Sequence, residues 1–279
     1  MCLQTDRITT YHFNMNYSVL MSVYKADNPT YLRESIESVM AQTIPCDDFV
    51  IVCDGPLTNE LNNVLSCYPT INIIRYEQNE GLGKALSKGI MECRHELVAR
   101  MDSDDIAAPN RMELQLEAFK SNPELSMVSG TVSEFSEDIE HITGARKLPL
   151  TDNAIRVFSR KRNPFNHPSM MFKKSAVLSS GNYDETYHLF EDYYLWVRML
   201  MAGYKGANLE ETLVYMRVDR NTMLRRGGVS YAKDMLRFHG WLRKEKWSSI
   251  SDYITGALPH ALICILPAGI RKGVYKRLH

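Results

Sequence analysis

The sequence predicts an α/β fold: a doubly wound, mostly parallel sheet with a helical C-terminal extension. Three observations carry this. Short, continuous apolar runs alternate with amphipathic segments of helical period over the first two-thirds of the 279 residues. Most of those runs end in a polar cluster: Lys25 to Asn28, Asp54, Glu77 to Gly83, and Asp102 to Asp105. In open α/β sheets such ends form the ligand crevice. Composition is that of an ordinary globular chain, 44% hydrophobic and 24% charged, which excludes a disordered, fibrous or polytopic membrane protein.

The elements follow in order. Tyr17 to Tyr24 is a largely apolar run of strand length, interrupted only by Ser18 and Ser22, as suits a central parallel strand. Pro29 suits the first turn of a helix, and Leu32, Ile36, Val39 and Met40 share one face of it. Phe49 to Cys53 reads as a second strand closed by Asp54, Gly55 and Pro56, and Ile71 to Tyr76 as a third. Leu82 to Cys93 reads as a helix and Glu96 to Met101 as a fourth strand. Pro109 opens the next helix, with Met112, Leu116 and Phe119 on one face.

After residue 125 the rhythm changes. Ser126 to Phe135 is a strand and Thr151 to Arg162 a helix, followed by a proline-bound loop from Asn163 to Pro168. Phe190 to Ala202 is a helix aligning Phe190, Tyr194, Val197 and Met201, and Gly206 to Val218 is strand and turn. Asp219 to Gly228 is polar, Arg-rich and glycine-ended, and reads as mobile. Ser230 to Trp247 is a basic amphipathic helix. Ile254 to Ile270 is the most apolar stretch, but it is too short to span a bilayer and is broken by Pro259, His260 and Pro267. Arg271, Lys272, Lys276 and Arg277 follow. That pairing fits a helix lying on an anionic membrane surface; packing against the domain core is the alternative.

Thirty-three basic and thirty-three acidic residues balance to zero, which argues against a nucleic-acid partner. The balance is uneven: from Arg217 to His279 thirteen Lys and Arg face four Asp and Glu. The six cysteines form no C-x-x-C pair and read as reduced cytosolic thiols. The N-terminus has no signal-peptide core. Met15 lies just before the first strand, so residues 1 to 14 read as a dispensable extension or a misassigned start.

Asp102, Ser103, Asp104 and Asp105 are the strongest chemical signal. Three carboxylates in four residues after a buried strand repel one another, and a divalent cation relieves that conflict. Mg²⁺ or Mn²⁺ suits such oxygen ligands. A helix-capping acidic turn is the competing reading.

Met101 to Arg111 resembles the D-x-D segment of glycosyltransferase family 2. Ser18 to Lys25 resembles that family's first strand, Asn79 to Lys84 its glycine-bearing stretch (departing from it at Leu86 and Ser87), and Phe190 to Trp196 its E-D motif. Order and spacing match across residues 17 to 230. The resemblance implies a GT-A fold, a nucleotide-sugar donor and direct displacement with inversion. It divides the chain into a nucleotide-sugar-binding half (15–125), an acceptor-binding and catalytic half (126–228) and a basic, apolar C-terminal region (229–279).

The resemblance also assigns roles. Asp54 would bond the uracil ring of a UDP-sugar and Tyr24 would support it. Asp102 would contact the ribose, and Asp104 would ligate Mn²⁺ or Mg²⁺ at the diphosphate. Lys84 and Arg225 would bind nucleotide or phosphate. Asp192 would be the catalytic base, Glu191 its acceptor-orienting neighbour, and His167 an acceptor contact. The Q-x-x-R-W motif of processive synthases is missing after Asp192, which implies transfer of one sugar. The acceptor implied is a polyprenyl-diphosphate-linked sugar, and the hexose galactose or glucose in a β-linkage (β-1,3 in some relatives), for O-antigen, capsule or exopolysaccharide. The enzyme would then be peripheral at the inner face of the cell membrane.

Two other classes compete. A sugar nucleotidyltransferase would carry a glycine-rich basic loop after the first strand, where this chain has Tyr24 to Pro29. A non-catalytic nucleotide-sugar-binding module would have no need of Asp102, Asp104 and Asp192 together.

Overall fold

The computed structural model describes residues 15–136, 138–187, 189–218 and 227–266. Its centre is one nine-stranded sheet. The strands are β1 (Tyr17–Val23), β2 (Asp48–Cys53), β3 (Asn72–Arg75), β4 (Leu97–Met101), β5 (Ile106–Ala107), β6 (Leu125–Phe135), β7 (Ile142–Arg146), β8 (Met171–Lys173) and β9 (Lys205–Arg217). They lie in the order β3-β2-β1-β4-β8-β6-β9-β5, with β7 added to β6. The first four are parallel. β8 runs antiparallel between β4 and β6, and β6 and β9 are again parallel. The apolar runs were legible because these strands are covered on both faces: every residue of β2 and β4 is buried.

Helices α1 (Pro29–Met40), α2 (Asn59–Ser66) and α4 (Arg111–Ser121) cover one face. They pack Leu32, Ile36, Leu61, Met112 and Leu116 onto Val19, Met21 and Ile51. Helices α3 (Leu82–Glu92), α5 (Asp152–Phe158), α6 (Lys174–Ser179) and α7 (Glu191–Met201) lie on the other face. Their Leu86, Ile90, Ile155, Trp196 and Met199 meet Leu20, Val50 and Val52. The sheet is continuous from β1 to β9, across residue 125.

Two details differ from the sequence reading, and a third extends it. Met40 is half exposed rather than part of the core face of α1, because it sits in the last turn, beyond the sheet. The helix expected from Thr151 to Arg162 ends at Phe158. Helix α7 carries two apolar faces. Phe190, Tyr194, Val197 and Met201, the face read from the sequence, pack with Tyr193 toward a further helix, α8 (Val229–Lys244). Leu195, Trp196, Met199 and Leu200 face the sheet. A helix packed between two partners is apolar on most of its circumference.

After α8 come a helical turn at Ile250–Asp252, a π turn at Tyr253–Ala257 and helix α9 (Leu258–Ile265). No helix of the described residues is long and apolar enough to cross a membrane.

Candidate active site

The carboxyl end of β4 carries the acidic turn. One carboxylate oxygen from each of Asp102, Asp104 and Asp105 falls within 4.8 Å of the others. Desolvation of the carboxyl by its crowded surroundings and the charges of Asp102 and Asp27 raise the Asp104 pKa to about 6, although the residue as a whole is exposed. Burial, Asp102 and Asp104 push Asp105 well above the usual carboxylate range. One Asp105 oxygen accepts from the Arg217 backbone N–H at 2.9 Å; the other is buried with no hydrogen-bond partner. An all-oxygen donor set, crowded enough to resist ionisation and with an unsatisfied oxygen, fits a hard divalent cation such as Mg²⁺ or Mn²⁺.

Arg100, also on β4 and only 2% exposed, grips both Asp102 oxygens with its two terminal nitrogens. Burial is the largest influence and works against its charge, but Asp102, Tyr183 and Asp105 together outweigh it and the pKa moves up. The Asp102 carbonyl accepts from Ser35 Oγ at 2.7 Å. Ser103 Oγ donates to Asp27 at 2.9 Å, and the Tyr24 N–H donates to the same oxygen at 3.0 Å. The end of β1 is thereby tied to the acidic turn, and Tyr24 stands 40% exposed beside it.

Asp54, at the end of β2, is 5% exposed. Its carboxylate accepts from Glu80 N at 2.8 Å, Gly81 N at 3.0 Å and Asn79 Nδ2 at 2.9 Å. It therefore anchors the loop that starts α3. Gly55 makes this possible: it takes φ +85°, and a Cβ there would lie 2.7 Å from Asn79 N. Lys84, in the first turn of α3, is 54% exposed in its side chain and reaches Glu185 at 3.6 Å. Glu191 packs beside the same turn, its Cγ 3.2 Å from where a Gly83 Cβ would be.

The second wall comes from α7 and the 163–169 loop. Asp192 Oδ2 accepts from Asn163 Nδ2 at 2.7 Å. His167 Nε2 lies 2.8 Å from the Tyr183 hydroxyl, and its ring rests edge-on against Trp196. Burial, then the Arg100 charge, pushes the His167 pKa well down, so the ring is neutral near pH 7. Burial pushes the Tyr183 phenol up; that group also feels the charges of Arg100, Asp192 and Asp102. Tyr183 thus lies within charge range of both the acidic turn and Asp192.

The structure therefore brings Tyr24, Asp102 and Asp104 together at one strand edge, with Asp54 and Lys84 on the neighbouring loop and helix. Glu191 lies against the first turn of α3, while Asp192 is tied to Asn163 and His167 to Tyr183. Arg225 lies outside the described residues. So do Arg220 and Arg226, and with them most of the segment expected to be mobile. Arg217 gives Nη2 to Glu34 at 2.6 Å and lies over the Tyr31 ring at 3.8 Å, so its guanidinium is engaged within the protein. Sequence reasoning missed Arg100, Asp27, Asn163 and Tyr183. The signal available was a charged residue, Arg100, inside an otherwise apolar strand.

The glycosyl transferase family 2 model matches residues 18–181. A UDP-Gal:alpha-D-GlcNAc-diphosphoundecaprenol beta-1,3-galactosyltransferase of Escherichia coli is 36% identical over 94% of this chain and 96% of its own length. The amylovoran biosynthesis glycosyltransferase AmsE of Erwinia amylovora is 38% identical over 80% of this chain and 84% of its own. Among solved structures, a Pyrobaculum calidifontis mannosyltransferase in complex with GDP-Man and Mn²⁺ aligns at TM-score 0.64 and 16% identity. That alignment covers 95% of this chain and 81% of the other, and it supports the fold alone.

Proposed function

The chain belongs to glycosyltransferase family 2 and has its GT-A fold; from that premise we propose that it transfers one hexose, galactose before glucose, from a UDP-sugar to a lipid-diphosphate-linked sugar. The product would be a β-linkage, β-1,3 by likeness to the Escherichia coli relative, in the assembly of a surface polysaccharide. The observation that carries this reading is the carboxylate cluster at the end of β4, where one oxygen each of Asp102, Asp104 and Asp105 lies within 4.8 Å of the others.

In this reading residues 15–125 take the donor, 126–228 the acceptor, and 229–279 the membrane side. Asp54 holds the loop bordering the uracil and leaves part of its acceptor capacity for the base, while Tyr24 supports the ring. Asp102 is held toward the ribose by Arg100. Asp104, with Asp102 beside it, would hold Mn²⁺ or Mg²⁺. When bound, that ion neutralises charge on the departing diphosphate. Lys84 and Arg225 add positive charge at the phosphates.

Asp192 takes the proton from the acceptor hydroxyl as its oxygen bonds the anomeric carbon. The bond from that carbon to the UDP oxygen breaks on the opposite face, so configuration inverts and UDP leaves with the bonding pair. Asn163 fixes the Asp192 carboxylate from one side. Asp192 sits in the first turn of α7, where the helix dipole favours its charged form. Glu191 orients the acceptor, and His167 lines its side with Tyr183.

The test is calorimetry with UDP, GDP, dTDP and CMP, each with Mn²⁺ and with chelator, on wild type and Asp104→Ala. The expected result is UDP binding that needs the metal and is lost in the variant. Turnover of UDP-galactose on a GlcNAc-diphosphate lipid then checks donor and acceptor. Preference for another nucleotide would overturn the UDP-sugar assignment.

A further inference from the structure

The C-terminal helical run turns its large apolar residues the wrong way for a surface facing water. Ile250 is 58% exposed, Ile254 54%, Leu258 38%, Leu262 67% and Ile265 51%. The residues it packs inward are small: Ala257, Ala261 and Cys264, all 3% exposed or less, against α8. A helix stabilised only by its own domain would bury the branched side chains and expose the small ones.

The winding keeps this stripe on one side. Residues four apart overshoot a full turn of α-helix by about 40°, so an i, i+4 series drifts around the axis. The π turn at Tyr253–Ala257 holds more residues per turn and offsets that drift between Ile250 and Leu258.

At the start of the stripe lies a cleft of about 360 Å³ lined by Arg160, Arg243, Lys246, Trp247 and Ile250. The three basic side chains are exposed, and among the described residues none has an ion-pair partner. The nearest acids in sequence are Glu245, exposed at the end of α8, and Asp252, which is held by Lys161 and Ser249. Lys246 occupies the left-handed position that ends α8, with φ +59°, where glycine would be free of strain. Beyond Ile265 the sequence adds Arg271, Lys272, Lys276 and Arg277.

A cationic cleft heading an aliphatic stripe matches an anionic headgroup layer above acyl chains. We propose that the cleft and stripe are a membrane-docking face, with Arg160, Arg243 and Lys246 on anionic phospholipid headgroups and Ile254, Leu258 and Leu262 in the acyl boundary. This deepens the proposed function, since a lipid-linked acceptor is presented at such a surface. Trp247 also lines the cleft, but it gives its indole N–H to Ser159 Oγ at 3.0 Å and packs against the core, so the docking face rests on the basic and aliphatic side chains.

The test is flotation of the full chain, without donor or metal, on vesicles of phosphatidylcholine alone and of phosphatidylcholine with phosphatidylglycerol. Wild type floats with the anionic vesicles and much less with the neutral ones. Arg243→Gln/Lys246→Gln weakens partition roughly thirtyfold. Ile254→Ser/Leu262→Ser weakens it roughly a hundredfold. Both variants keep the wild-type melting temperature and UDP binding, because none of the four side chains is packed inside. The proposal is overturned if wild type stays in solution at every composition, or if the serine variant floats like wild type. It is also overturned if sedimentation velocity gives a dimer that the serine variant dissociates, which assigns the stripe to a second copy. Loss of UDP binding with flotation intact would instead sink the glycosyltransferase mechanism and leave the docking face standing.

Discussion

Replacing Arg100 by Met tests whether the acidic turn is held by a buried ion pair. Arg100 is 2% exposed and grips both Asp102 oxygens, while the Asp102 side chain keeps 29% of its exposure. Met preserves most of the volume, so little of the effect comes from a cavity. Opposite charges ~4 Å apart at an effective dielectric of about 20 attract by about 4 kcal/mol. Removing one partner of a buried pair typically costs ~3–5 kcal/mol. Water reaches part of Asp102, so the lower end applies, about 3 kcal/mol. For a chain of this size that lowers the melting temperature by ~6–12 °C. The assay is urea denaturation without metal, run as a cycle with Asp102→Asn. In the double variant the stranded charge is gone, and about 2 kcal/mol should return as coupling. A loss under about 1 kcal/mol, or no recovery in the double variant, would refute the claim that Arg100 and Asp102 act as a pair.

Asp192→Asn should keep metal-dependent UDP binding by calorimetry while lowering kcat ~10²–10⁴-fold, as loss of a general base does; wild-type turnover would remove Asp192 from the mechanism. Metal-dependent UDP binding should weaken as pH falls through about 6, where Asp104 takes up a proton and the cluster loses a negative charge, by up to about tenfold per pH unit. Without metal the sign is opposite: a carboxyl whose folded pKa is raised favours the fold at low pH, and that contribution is lost as pH rises through about 6. Titrations from pH 5 to 8, with Mn²⁺ and with chelator, separate the two. Gly89→Ala should lose ~1–3 kcal/mol in urea denaturation, because its Cβ would meet Leu20 Cδ1 at 2.5 Å and Val52 Cγ2 at 2.7 Å under α3.

Much of this was legible in the sequence, and the reason is physical. Strands β1, β2 and β4 are buried on both faces, so their apolar runs stand out without any contact information. The acidic turn was legible because three carboxylates in four residues follow a buried strand, whereas Asp192 was marked only by the resemblance of Phe190 to Trp196 to the family's E-D motif. What escaped depends on partners distant in sequence. Strand β8 has three residues and exists because β4 and β6 flank it. Asp27 gains its place through Ser103, 76 residues away, and Asn163 through Asp192, 29 residues away. The exposed stripe on α9 escaped for a different reason: apolar content is visible in sequence, but the side that faces the protein is decided by Ala261 and Cys264 meeting α8.

The rigidity of the acidic turn comes from a second buried arginine beneath it. Arg111 is fully buried, and burial together with the Arg100 charge lowers its pKa to about 9, so it stays charged near pH 7. It gives Nη2 to the Arg100 carbonyl at 2.7 Å and the Met170 carbonyl at 3.2 Å, and Nε to Gln115 at 3.0 Å. Gln115 in turn donates to the Val128 carbonyl at 2.8 Å and the Ser169 carbonyl at 2.9 Å. These four carbonyls belong to β4, β6 and the segment leading into β8, which form the seam where the parallel half of the sheet meets the antiparallel strands. Two neighbouring cations would destabilise a core if each lacked acceptors. Here they divide the work. Arg111 gives its N–H groups to backbone carbonyls, Gln115 and Met101 below the turn. Arg100 gives its two terminal nitrogens to Asp102 above it and keeps its Nε buried without a partner. The carboxylates therefore sit on a fixed base with their repulsion only partly neutralised. A bound cation would meet a site already in position, and binding would not have to supply the ordering cost of three side chains.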